Sequence, residues 1–137
     1  MAYLHIYKDS PTSGGTDGTL VSEGDGSSPI TIGPLNATSN EESAAVKLAL
    51  RCDAGYNTGA DVVITPSGTT AAKWNLAPDN AGAPGTYVGY GAALTVTSVI
   101  GVVNTLFWIK GKAVSGENPA NDTSVDLAVT CTTINPV

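Results

Sequence analysis

Charge is what this sequence has least of. Only 13% of its 137 residues are charged, roughly half the usual share for a soluble domain. Lys and Arg number 6 against 12 Asp and Glu, for a net charge of -6. With no basic stripe anywhere, nucleic-acid phosphates and anionic membranes are not expected partners. No segment approaches the ~20 apolar residues of a membrane span. The opening MAYLHIYKDS lacks the basic start, apolar stretch and small-residue cleavage site of a signal peptide, so synthesis in the cytoplasm is expected. On that expectation the sequons NAT (36–38) and NDT (121–123) are chance matches.

Chemistry-bearing residues are equally sparse. One histidine, His5, and two cysteines, Cys52 and Cys131, stand far apart in the chain. That spacing makes no metal-ligand pattern and gives neither thiol a neighbouring base. The carboxylates gather in turns: Asp17, Glu23, Asp25, Glu41, Glu42, Asp122 and Asp126. EGDG lacks the spaced oxygen ligands of a calcium loop, and GAPGTYVGYG lacks the Lys and following helix of a phosphate loop. The expectation is no catalytic residue, no metal and no cofactor: a protein that is not an enzyme.

What the chain does have is period-two alternation. In AVKLALRCD, Val46, Leu48, Leu50 and Cys52 share one face, and Lys47, Ala49 and Arg51 the other. Further strands are expected at Tyr3 to Tyr7, Thr31 to Leu35, 61–65 (stopped by Pro66), Trp74 to Leu76 (ended by Pro78), Leu94 to Val99, the NTLFWIKGK run, and 123–134. A brief strand is possible at Thr19 to Ser22, and a helical turn at Asn40 to Ser43. Between them lie Gly-, Ser-, Asp- and Pro-rich turns, including a long glycine-rich loop, DNAGAPGTYVGYGAA. Seven or eight short strands with turn signals roughly every 10 residues predict an all-β antiparallel β-sandwich. A jelly roll is the alternative. Residues 1–30 read as an N-terminal arm, either flexible or an ordered hairpin turning at TDGT, and 31–137 as the sandwich domain.

Both cysteines fall on apolar strand faces and are expected to point inward. They are either free buried thiols or a bridge between sheets, and a cytoplasmic origin favours free thiols. Phe107 and Trp108 are adjacent, so on a strand they face opposite ways. Ile109 joins Phe107 while Lys110 and Lys112 join Trp108, which places Phe107 inward and Trp108 on the outer face beneath a loop, a Lys stem or a subunit. Trp108, Trp74, Tyr56, Tyr87 and Tyr90 are the candidate interface or ligand contacts, because large amphipathic rings serve both protein docking and sugar stacking.

The run FWIKGKAVSGENPANDTSVDLAV, together with the preceding LALRCDAGYNTGADVVITPSGTTAAKWNLAPD, resembles the immunoglobulin-like sandwiches of bacteriophage and prophage structural proteins. The resemblance spans roughly residues 44–130 and carries no catalytic residues. It implies an immunoglobulin-like fold and a virion component of the head decoration, tail or baseplate, made in the host cytoplasm. Such a protein is expected to form a homo-oligomer and to contact other virion proteins. The competing expectation is a carbohydrate- or receptor-binding module that presents two or three exposed rings in one plane.

Overall fold

The computed structural model describes residues 3–21, 41–68, 71–113 and 126–137. Expected features at Thr31 to Leu35, Glu23, Asp25, Asp122 and both sequons lie outside the described residues. Among the described residues eleven strands follow in order: β1 (Leu4–Lys8), β2 (Thr19–Leu20), β3 (Val46–Cys52), β4 (Tyr56–Thr58), β5 (Val62–Ser67), β6 (Trp74–Asn80), β7 (Ala83–Pro84), β8 (Leu94–Val96), β9 (Thr105–Gly111), β10 (Asp126–Cys131) and β11 (Ile134–Pro136). Among the described residues the only helical piece is a 3-10 turn at Ala71–Lys73.

The strands form an all-β antiparallel sandwich. Its larger sheet has six strands in the order β2-β1-β3-β9-β6-β7, and a smaller sheet runs β10-β5-β8. A two-stranded ribbon, β11-β4, lies at one end. Alternation aims one face of each sheet at a shared core. From the larger sheet come Leu4, Ile6, Leu48, Leu50, Cys52, Leu76, Phe107 and Ile109; from the smaller, Val62, Ile64, Leu94 and Cys131. Phe107 is fully buried at the centre of the larger sheet, with Leu48 as its register partner on β3 and Pro78 on β6. Each such fully buried side chain contributes about 1.5–3 kcal/mol relative to exposure. Cys52 and Cys131 are free thiols in this core. Burial first, then the nearby Cys131 and Asp53, push the Cys52 thiol above its ordinary range.

Several local expectations change. β5 continues through Pro66 and β6 through Pro78, although proline was expected to stop both. The reason is what lies beside each proline. β8 pairs only with Val62 to Ile64, so at Pro66 β10 is the sole ladder partner. β7 likewise pairs only with Asp79 and Asn80; beyond it the Gly85 N–H donates to the Pro78 carbonyl at 2.8 Å, a contact that asks for no N–H from Pro78. A strand flanked on one side needs no N–H on the other. The expected glycine-rich loop begins instead as a hairpin, in which Ala81 and Gly82 both take positive φ (52° and 90°). Those are the signs a two-residue turn between twisted strands demands, reached here without the usual Asn-Gly signal. Glu41 to Ser43 are extended rather than a helical turn: Glu42 bridges Lys112, and the Ser43 N–H donates to the Gly111 carbonyl at 2.8 Å. At the N-terminal stretch β1 and β2 pair as a hairpin, joined by residues 9–18 rather than by a tight turn at TDGT, whose Thr19 already belongs to β2. β1 pairs with β2 and β3 and sends Leu4 and Ile6 into the core.

Candidate functional site

The outer face of the six-stranded sheet carries most of the residues singled out from the sequence. Along β9 it presents Leu106, Trp108 and Lys110; along β3, Lys47, Ala49 and Arg51; along β6, Asn75, Ala77 and Asp79. Two loops cover this face, and each is held by a carboxylate.

The first is the β1–β2 loop, residues 9–18. It starts with Asp9 and Ser10 at φ 64° and 57°, a left-handed pair that turns the chain back across the sheet. Asn104, only 3% exposed, is its anchor. Its amide nitrogen donates to the Thr12 carbonyl (3.1 Å), the Asp17 carbonyl (3.1 Å) and Asp17 Oδ1 (2.9 Å), and its Oδ1 accepts from Arg51 Nη1 (2.9 Å). Backbone bonds to Gly14 and Gly15 complete the dock. The Arg51 guanidinium lies 3.7 Å from the Tyr7 ring centre. Asp17 also accepts from the Thr12 N–H and hydroxyl, and these bonds hold its carboxyl below the ordinary 3.8.

The second is the loop after β7, which carries Tyr87 and Tyr90. Lys110 Nζ sits 4.4 Å from the Tyr87 ring centre and 5.9 Å from that of Tyr90, and Lys112 Nζ sits 4.2 Å from the Tyr90 ring. The Tyr90 hydroxyl donates to Glu42 Oε1, which also lies 3.4 Å from Lys110 Nζ. The hydrogen bond from Tyr90, with the charge of Lys110 and then Lys112 behind it, lowers the Glu42 carboxyl below 4.5. Burial and then Glu42 raise the Tyr90 hydroxyl well above 10. Burial first and Glu42 second raise Tyr87 as well.

The five candidate aromatics therefore have partners inside the chain. Trp108 lies on the outer face, half-buried between its register partners Lys47 and Ala77, and its indole N–H donates to Asp79 Oδ1 at 2.9 Å. Trp74 faces the other way and packs against the core. Tyr56 stacks on Tyr3 with ring centres 4.1 Å apart and also abuts the core. Tyr87 and Tyr90 serve as bases for lysines. The structure brings Tyr87 and Tyr90 together and leaves Trp74, Trp108 and Tyr56 at separate places. An open groove of about 330 Å³ runs beside Asp79 and Asn104, lined also by Ser13, Thr95, Thr97 and Leu106. Its two best hydrogen-bonding groups are already engaged, Asn104 as above and Asp79 by Trp108 and the Gly82 N–H.

The exposed large hydrophobic side chains of the described residues are mostly aliphatic. Among the described residues seven large hydrophobic side chains are exposed, and Tyr3, Val99, Val102, Val103 and Val137 among them lie on segments joined by backbone bonds at one end of the sandwich. Backbone bonds place them together. Asp53 N–H donates to the Tyr3 carbonyl, Cys52 N–H to the Gly101 carbonyl, Thr58 N–H to the Ile100 carbonyl and Val137 N–H to the Gly55 carbonyl. The β8–β9 loop here is a fixed feature: Ile100 is fully buried, and its N–H donates to the buried Thr58 Oγ1 at 2.9 Å. Two-residue alternation alone does not distinguish Gly101 to Val103 as an anchored loop from a plain link between strands. The available signal was SVIGVV itself, an apolar run whose spacing breaks the two-residue period.

No protein-family model, characterised protein or solved structure matches this chain.

Proposed function

We propose that this chain is a non-enzymatic structural protein of a phage or prophage virion, acting through protein–protein assembly. The observation that carries the assembly reading is the apolar end of the sandwich, where Val99 is 67% exposed on a loop with a buried anchor. Large exposed apolar clusters on a fixed surface mark contact sites. The virion part of the reading rests on the textural resemblance of residues 44–130 to phage immunoglobulin-like sandwiches. A role in head, tail or baseplate fits equally.

The carbohydrate-binding alternative draws support from the hydroxyl-lined groove at Thr95 and Thr97. It is the weaker reading because sugar stacking needs free ring faces, and the five candidate rings are engaged within the chain. Light scattering over a dilution series at neutral pH tests the assembly reading. A defined oligomer is expected. A monomer at every concentration overturns it, and glycan titration followed by tryptophan fluorescence then becomes the informative measurement.

A further inference from the structure

We propose that Cys52 and Cys131 form a redox-controlled staple between the two sheets: thiols in a reducing compartment, an intramolecular disulfide in an oxidising one. The proposal goes beyond the assembly reading and does not depend on it.

Three observations converge on this pair. The first is topology. Cys52 is the last residue of β3 in the larger sheet, and Cys131 the last of β10 in the smaller. The chain runs on from Cys52 into β4 and from Cys131 into β11, and these two strands pair with each other, Tyr56 with Pro136 and Thr58 with Ile134. The pairing continues past the ribbon. The Gly59 N–H donates to the Thr133 carbonyl at 2.8 Å, and Val62 is the register partner of Cys131. One ribbon therefore draws both cysteine-bearing strand ends to the same end of the sandwich.

The second is where the sulfurs sit. Both side chains are buried in one core cluster. The Cys52 thiol donates to the Ile100 carbonyl at 3.4 Å, the same oxygen that accepts the Thr58 N–H at 2.9 Å. Cys131 Sγ lies 3.5 Å from the Ala60 carbonyl oxygen and 3.1 Å from that of Thr133. The sulfurs thus flank the short stretch from Thr58 to Ala60. Burial first, and Cys131 second, push the Cys52 thiol up, so the two sulfurs are within electrostatic reach of one another.

The third is what the bond holds. The two sheets meet through apolar side chains, and a β3–β10 bridge adds a covalent link between them. It also closes residues 52–131 into one loop, and long loops gain the most from closure.

Closure is thiol–disulfide exchange with a small-molecule disulfide. One protein thiolate attacks that disulfide, forms a mixed disulfide and expels one small thiol. The second protein thiolate attacks the sulfur of the first and expels the other. Two S–H bonds are lost and one S–S bond forms; the small disulfide takes up two protons and two electrons and leaves as two thiols. Both side chains turn from their carbonyl partners toward each other. Because buried thiols are inert, exchange accompanies folding or opening of this end.

The test is refolding of the full chain from urea in a buffer of reduced and oxidised glutathione, which exposes both thiols before the sandwich closes. Intact mass, thiol counting in denaturant and a peptide map are then read. The expected product has lost two hydrogens, has no free thiol and yields a linked Cys52–Cys131 peptide. It melts roughly 10 °C above the reduced protein, and dithiothreitol abolishes the difference. Cys52→Ala and Cys131→Ala should show no redox-dependent melting; if either variant does not fold, the wild-type mass and map still decide. A product that keeps both thiols, carries glutathione on either cysteine or bridges only between chains overturns the staple and leaves the assembly reading standing. A linked peptide with a lowered melting temperature also overturns it, because the sulfurs then meet only by distorting the sandwich.

Discussion

The outer face of the large sheet and the apolar end of the sandwich hold opposite kinds of residue in opposite states. The outer face has Trp108, Tyr87, Tyr90 and the lysines, and two loops cover it. The end has valines and lies open. Rings and charges offer many ways of being satisfied within one chain: cation over ring, hydroxyl to carboxylate, indole to carboxylate. Valine has only apolar contact, and a loop that buries Ile100 to anchor itself turns its other valines outward. Residues that look most functional in a sequence can thus be the most internally committed, while the contact surface is made of what no intrachain partner covers.

That contrast can be broken or sharpened experimentally. Removing the support beneath both regions has the largest effect: Phe107→Ala should cost about 3–5 kcal/mol of unfolding free energy in urea, from lost burial and the cavity left behind. Asn104→Ala breaks the covered face alone. It removes three donated bonds and leaves Arg51 without its side-chain acceptor, for a loss of about 2–3 kcal/mol. Amide exchange should quicken across residues 9–18 and leave 97–103 unchanged. Thr58→Val acts on the other region: it orphans the buried Ile100 N–H at a cost of about 1–2 kcal/mol, with faster exchange confined to the β8–β9 loop.

Acid should act on the covered face selectively. Glu42 and Asp17 both have folded-state values below their ordinary 4.5 and 3.8. A depressed carboxyl contributes stability above its unfolded value and loses it as pH falls through the folded one. Both loop clasps should therefore hold at neutral pH and weaken progressively below pH 4.5, Glu42 entering that window first. The stability gap in urea between wild type and Glu42→Gln should narrow from pH 7 to pH 3; a constant gap would contradict the clasp. The smallest effect is expected at the open end, where Val99→Asp should change monomer stability by no more than about 0.5 kcal/mol while altering association.

Alternation of apolar residues by itself determined the all-β class, the inward faces of β3 and β9, the placement of Phe107 within and Trp108 without, and the burial of both cysteines. Two-residue periodicity is a local property, and burial follows it wherever two sheets close on each other. Only the tertiary structure decided how far β5 and β6 run past their prolines, because that depends on which neighbouring strand is present at each residue. It alone decided that Asn104, distant in sequence from Thr12 and Asp17, clasps the first loop, and that Glu42 reaches Tyr90 and Lys110. Partners that far apart along the chain leave no spacing to read. The open valines were hidden for the same reason: whether a side chain is covered depends on every other segment that passes near it.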